Sequence, residues 1–236
     1  MRRKRFTSKT YLKVLIVVGL LAVIGGGAGT FATFNAQTTN SGNTFATGTL
    51  VLSNTVGATT CLSTNGGNTN TNANSTGCST VFNGTVKKPG DIAGGNVTLQ
   101  NSGSLAASLL KLTATSCADS NASAESFHGT GSVCGALNFY VQEWNNSNFT
   151  GAFKCWYGGG TTSTCDPTFA ISPQTLAGFG TSPVDISAGP HATAFAPSGS
   201  SGDTRYFTIA VQLPSSADNS FQGRQAQLAL TWEEDQ

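Results

Sequence analysis

The chain has 236 residues and a formal net charge of +1, enough for one domain with a full core beside a targeting segment. Gly, Ser, Thr and Asn dominate and only 10% of residues are charged, yet 38% are hydrophobic, with 14 Phe and 3 Trp spaced along the chain; a disordered polypeptide would lack those anchors. Six of the 12 basic residues (Arg2, Arg3, Lys4, Arg5, Lys9, Lys13) precede Ala32 with no acidic residue among them, and the remainder, six basic against 11 acidic residues, carries −5. Such acidity argues against nucleic acid or an anionic membrane as a partner.

Residues 1–32 have the layout of a secretory signal peptide. The basic stretch Arg2 to Lys13 is followed by an uninterrupted apolar run, Val14 to Ile24, and then by the glycine-rich break Gly25 to Gly29. The run is short for a membrane span. Thr30-Phe31-Ala32 puts small residues at positions −3 and −1, so cleavage is expected between Ala32 and Thr33. The alternative is an uncleaved N-terminal anchor. No second apolar run occurs, and the expected product is secreted and extracellular.

In the mature chain, Asn43 to Ser53 reads as a first strand, with Gly48 marking a bulge. The polar, low-complexity stretch Gly57 to Gly77 reads as a surface loop, Ser79 to Val86 as a second strand, and Lys88 to Asp91 as a turn. Gly95 to Asn101 alternates with Val97 and Leu99 on one face. After the turn Asn101 to Ser104, Leu105 to Thr115 returns with Leu110 and Leu112 together and Leu109 and Lys111 opposite. Ala136 to Trp144 reads as a half-buried strand with Leu137, Phe139 and Val141 inward, and Phe149 to Tyr157 as its partner. Pro167 to Pro197 holds five of the seven prolines and reads as a long connection with a helical turn near Gln174 to Phe179. Two regular strands follow. Arg205 to Leu213 places Phe207, Ile209 and Val211 inward and Arg205, Thr208, Ala210 and Gln212 less consistently outward; Arg224 to Trp232 aligns Ala226, Leu228, Leu230 and Trp232. The expectation is an all-β fold, a two-sheet sandwich or jelly roll over residues 43–236.

The six cysteines, Cys61, Cys78, Cys117, Cys134, Cys155 and Cys165, all follow the cleavage site, contain no CxxC and are even in number. They point to an oxidising compartment and up to three disulfides. Sequence proximity favours Cys61–Cys78, Cys117–Cys134 and Cys155–Cys165, each stapling one loop. On any pairing their role is structural.

Catalytic constellations are absent from the sequence. There is no HExxH, GxSxG or mature GxGxxG. His128 and His191 are 63 positions apart in Gly-rich surroundings and read as surface loop residues. No thiol is left over if all six cysteines pair, and no cofactor or metal is implied. The acidic end Glu233-Glu234-Asp235 reads as a solvated tail rather than a calcium site. Six Asn-X-Ser/Thr sequons, at Asn74, Asn83, Asn96, Asn121, Asn145 and Asn148, are what chance gives in so Asn- and Thr-rich a chain.

Four stretches carry a resemblance: GGAGTFATFN from Gly26 to Asn35, NTFATGTLVL from Asn43 to Leu52, KPGDIAGGNVTLQNSGSLAASLLKL from Lys88 to Leu112, and DNSFQGRQAQLALTW from Asp218 to Trp232. In this order and spacing they resemble the TasA–camelysin family of secreted fibre proteins of bacterial biofilm matrices. The stretch from Ser116 to Asp203 is unmatched, and the six cysteines depart from the family pattern. The resemblance implies a jelly-roll-like fold and processing by a signal peptidase of the SipW kind. It also implies polymerisation by donor-strand exchange, in which the new N-terminus of one copy adds as a strand to the next, with other copies and further matrix components as partners. Residues 33–42 are then the donor segment. Its core, Thr33, Phe34, Asn35, Ala36, Gln37, Thr38, Thr39 and Asn40, has no charge, proline or glycine, and so lacks the devices by which edge strands refuse a partner. Phe34 and Ala36 would share a face. The competing readings are a frayed N-terminus, a monomeric adhesion module presenting Trp144, Trp156 and Tyr157 to glycans, and a camelysin-like metalloendopeptidase.

Overall fold

The structure, a computed structural model, describes residues 48–67, 70–72, 75–82, 88–180, 184–187 and 195–236. The signal segment, the cleavage site at Ala32 and Thr33, and the donor segment Thr33 to Asn40 lie outside the described residues, as do His191, Asn74 and Asn83.

Among the described residues, nine strands form two antiparallel sheets. The large sheet comprises β1 (Leu52–Val56), β2 (Thr59–Leu62), β3 (Ile92–Asn101), β5 (Asn138–Trp144), β6 (Ala152–Tyr157) and β8 (Thr204–Gln212), in the order β2-β1-β3-β8-β5-β6. The small sheet has β4 (Leu109–Asn121) between β7 (Val184–Asp185) and β9 (Arg224–Asp235). Two short α-helices, α1 (Val133–Ala136) and α2 (Leu176–Gly180), and two 3-10 turns, Ser63–Gly66 and Asn219–Phe221, complete the inventory of the described residues. This is the all-β sandwich expected from the alternation of apolar residues.

The core lies between the sheets. Val97 and Leu99 of β3, Phe207 and Ile209 of β8, and Phe139 and Val141 of β5 are fully buried beneath Leu110 and Leu112 of β4. The Phe207 and Trp232 rings join the two layers with centroids 5.0 Å apart. From α2, Phe179 packs on Phe139 at 4.8 Å and on Tyr157 at 5.0 Å.

All three disulfides pair each cysteine with its neighbour in sequence: Cys61–Cys78, Cys117–Cys134 and Cys155–Cys165. Disulfides belong to an oxidising compartment. Among the described residues no helix is long and apolar enough to cross a membrane.

Several expectations are corrected. The first strand does not run from Asn43 to Ser53; 43–47 lie outside the described residues, and pairing starts only at Leu52. The Thr49 carbonyl accepts from Ser104 and Leu105, and that of Val51 from Ser102, so this backbone is committed to the crossover turn. Gly48 is no bulge: a Cβ there would lie 2.4 Å from the Leu105 side chain. Ser79 to Phe82 is not a strand, and 83–86 lie outside the described residues. Val81 and Phe82 pack on the core instead, with the Val81 carbonyl so close to Gly95 that a Cβ would meet it at 2.0 Å.

The strand expected from Leu105 starts at Leu109, continues to Asn121 through a register shift between Thr115 and Ala118, and enters the other sheet instead of returning beside β3. Asn101 directs that crossing. Fully buried, it donates from Nδ2 to the Leu105 and Phe195 carbonyls and accepts at Oδ1 from the Gly103 N–H. β6 starts at Ala152 rather than Phe149, and the helical turn sits at Leu176–Gly180.

β5 is buried on both faces, not half-buried. The segment after β6 covers its outer side, and Gln142 ties it down. Gln142 donates to the carbonyls of Glu143, Lys154 and Ser163 and accepts from the Cys165 N–H. Arg205 points inward. It is 4% exposed, donates to the Ile186 carbonyl at 3.0 Å and lies over the Phe195 ring. Burial lowers its pKa from the ordinary value while the Glu143 carboxylate acts against that shift. The fully buried Glu143 accepts from Trp156 Nε1 at 2.7 Å.

Candidate functional site: the free edge of the small sheet

Two sheets have four edges, and each edge strand presents unpaired N–H and C=O groups to whatever strand approaches. Three are blunted here. β2 is four residues long and carries the Cys61–Cys78 bridge. β6 is covered by its following segment, through a bond from the Cys155 N–H to the Thr162 carbonyl and through the Cys155–Cys165 bridge. β7 has two residues.

β9 is different. It has 12 residues, pairs with β4 from Leu109↔Asp235 to Asn121↔Arg224, and no described residue pairs with its other side. Its centre, Gln225 to Trp232, has no proline and no charge. Outward residues Gln225, Gln227, Ala229, Thr231, Glu233 and Asp235 are exposed; the inward ones are all only half-buried.

Along the inward face the chemistry changes from one end to the other. Ala226, Leu228 and Leu230 pack against the core. Beside Leu228 opens an apolar pocket of about 260 Å³, lined also by Ala114, the Cys117–Cys134 bridge, Leu176 and Ala177. Further along, Trp232 Nε1 and both carboxylate oxygens of Glu234 are buried and have no hydrogen-bond partner among the described residues, as is the case for Asn54 Oδ1. Asn54 shares its face with the core residues Leu52 and Val56 of β1.

Glu234 stands across from the fully buried Leu110. Burial raises its pKa to about 7. The inward faces of β4 (Leu110, Leu112, Ala114), β1 (Leu52, Asn54, Val56) and β3 (Val97, Leu99, Asn101) offer it no counter-charge. Inward charges in the large sheet are Arg205, Glu143 and, on β6, Lys154; β9 adds Arg224 at its far end. An unpartnered buried polar group costs about 1–3 kcal/mol. Two of them, Trp232 Nε1 and the Glu234 carboxyl, lie two residues apart on the inward face of β9, where a hydrogen-bonding chain alongside would give both a partner.

The acidic end is therefore not a solvated tail. Glu233 and Asp235 point to solvent, but Glu234 continues the inward series Ala226, Leu228, Leu230, Trp232 at the same period of two. That continuation was the signal available in the sequence. Among the described residues no three His, Cys, Asp or Glu converge as metal ligands. His128 sits half-buried with Nε2 at 3.1 Å from the Ala122 carbonyl. The aromatics considered for glycan contact have their polar tips hydrogen-bonded within the chain: Trp144 Nε1 donates to Thr208, Trp156 Nε1 to Glu143, and Tyr157 Oη to the Thr175 carbonyl. The six cysteines sit in the three loop bridges, away from any shared centre. No protein-family model matches the chain, and no curated protein does.

Proposed function

We propose that this protein is a secreted structural subunit of an extracellular fibre, of the kind found in biofilm matrices, in which the N-terminal segment of one copy adds as a strand to β9 of the next. The observation that carries the reading is the 12-residue edge of β9, whose outer side no described residue pairs with. It stands beside three edges that are shortened or covered, and its inward face has apolar and polar positions still half-open. Thr33 to Asn40, uncharged and free of proline and glycine, is a chain that such an edge accepts, with main-chain bonds supplying affinity and alternate side chains reading the groove. The motifs similar to the TasA–camelysin family support the same arrangement. The interface joins two different surfaces and does not close on itself, so its repetition gives a filament. Removal of residues 1–32 by a signal peptidase is the step that frees the donor.

Electron microscopy of the mature protein released from cells tests this. Regular filaments are expected, and deletion of Thr33 to Asn40 should leave only single subunits of unchanged fold by circular dichroism. Full-length filaments from the deleted protein would sink strand donation; monodisperse particles from the intact protein at high concentration would favour a surface module.

A further inference from the structure

The direction in which the added strand runs is encoded in the gradient along β9, and this deduction rests on the strand-donation reading above. The acceptor face is apolar around Leu228, with its pocket of about 260 Å³, and hungry for hydrogen bonds at Trp232 and Glu234. An extended donor carries a matching gradient. Alternation puts Phe34, Ala36, Thr38 and Asn40 on one face, apolar first and polar last. Leu228 to Glu234 and Phe34 to Asn40 are seven residues each, six strand steps or roughly 20 Å.

We propose that the donor lies parallel to β9, with Phe34 at the pocket beside Leu228, Ala36 beside Leu230, Thr38 meeting the Trp232 indole and Asn40 meeting the Glu234 carboxyl. In that register Trp232 Nε1 donates to the Thr38 hydroxyl and Asn40 Nδ2 donates to a Glu234 oxygen, so both orphaned groups gain a partner and the large ring enters the open pocket. The antiparallel alternative reverses every match. Phe34 would then cover the Glu234 carboxyl and Asn40 would enter the apolar pocket, leaving unpaired polar groups on both strands.

Disulfide trapping in the full mature chain decides between them at outward, solvent-facing positions, where core packing is untouched. The parallel register sets position 39 beside 233; the antiparallel one sets 35 beside 233. Filaments of Thr39→Cys/Glu233→Cys, oxidised mildly, are expected to run as a ladder of cross-linked chains on a non-reducing gel. Those of Asn35→Cys/Glu233→Cys should run as single chains. The opposite pattern, or single chains from both while filaments form, overturns the register without touching strand donation. Absence of filaments from the unmodified protein overturns strand donation and this register with it.

A second variant keeps the question open to test if added thiols disturb folding. Asn40→Asp puts a carboxylate beside Glu234, so filament yield should fall at pH 8 and return to the parent's at pH 5, where Glu234 is protonated. Equal loss at both pH values places residue 40 elsewhere and rejects the register.

Discussion

At the scale of single residues, two inward acids, the buried Glu143 and the half-buried Glu234, stand in different surroundings. Glu143 has Trp156 Nε1 as a donor and Arg205 as a counter-charge, whereas Glu234 has neither. Replacing Arg205 by Ala strands the Glu143 charge in the core and should cost about 3–5 kcal/mol in urea unfolding. The double replacement Arg205→Met/Glu143→Leu should recover a large part of that, which a double-mutant cycle reads directly. Glu234 gives a pH signature instead. Its folded pKa of about 7 lies above the unfolded reference of 4.5, so the folded state holds the proton more tightly than the unfolded one. Stability is complete below the unfolded value and declines as pH rises towards 7 and beyond. Because the side chain is half-exposed, the loss between pH 5 and pH 8 should be only about 1–2 kcal/mol. Glu234→Gln should flatten that slope in urea unfolding of the free subunit across the same pH range. Asp166 has the reverse dependence. The Thr168 hydroxyl and the N–H groups of Thr168, Ala170 and Ile171 hold its pKa down to about 2, so its loop loosens only as pH falls below the usual carboxylate range.

At the scale of elements, the disulfide loops act on strands as much as on themselves. The bridge Cys155–Cys165 presses its loop onto β6 and, through Gln142, onto the outer face of β5. Cys155→Ser/Cys165→Ser should cost ~2–3 kcal/mol. Hydrogen exchange should accelerate in Cys155 to Tyr157 while the central amides of β3 and β8 stay protected. Much of this architecture was legible in the sequence. The period-two runs at Val97 and Leu99, at Phe139 and Val141, at Phe207 to Val211 and at Ala226 to Trp232 are strands with those faces inward, and the cysteines pair with their nearest neighbours. What was illegible is non-local. Arg205 looks outward until its partner, 62 residues earlier at Glu143, is brought beside it. Thr49 to Val51 has strand composition, but its carbonyls are taken by Ser102, Ser104 and Leu105. The free edge of β9 could not be read at all, since an edge is defined by which strand fails to arrive.

At the scale of the whole molecule, a six-stranded sheet faces a three-stranded one, and the imbalance falls at β9. Under the proposed strand donation, another copy's strand would extend the narrower layer and cover the Trp232 and Glu234 polar groups that have no partner among the described residues. A subunit in a filament should therefore resist unfolding more than a free one, with a melting temperature that rises on assembly and falls back when filaments are dissociated by pH or denaturant; equal melting in both forms would argue that the joint leaves β9 untouched. The order of the disulfides adds a consequence in time. Each cysteine closes with the next to appear, over separations of 17, 17 and 10 residues, so oxidation can follow the chain as it emerges without waiting for any distant thiol. β9 is the last strand to emerge, and β4 has no long neighbour until it does. Under the proposed strand donation, the receiving edge therefore forms only after every other described strand has been made, and a chain still lacking β9 offers a neighbour nothing to join.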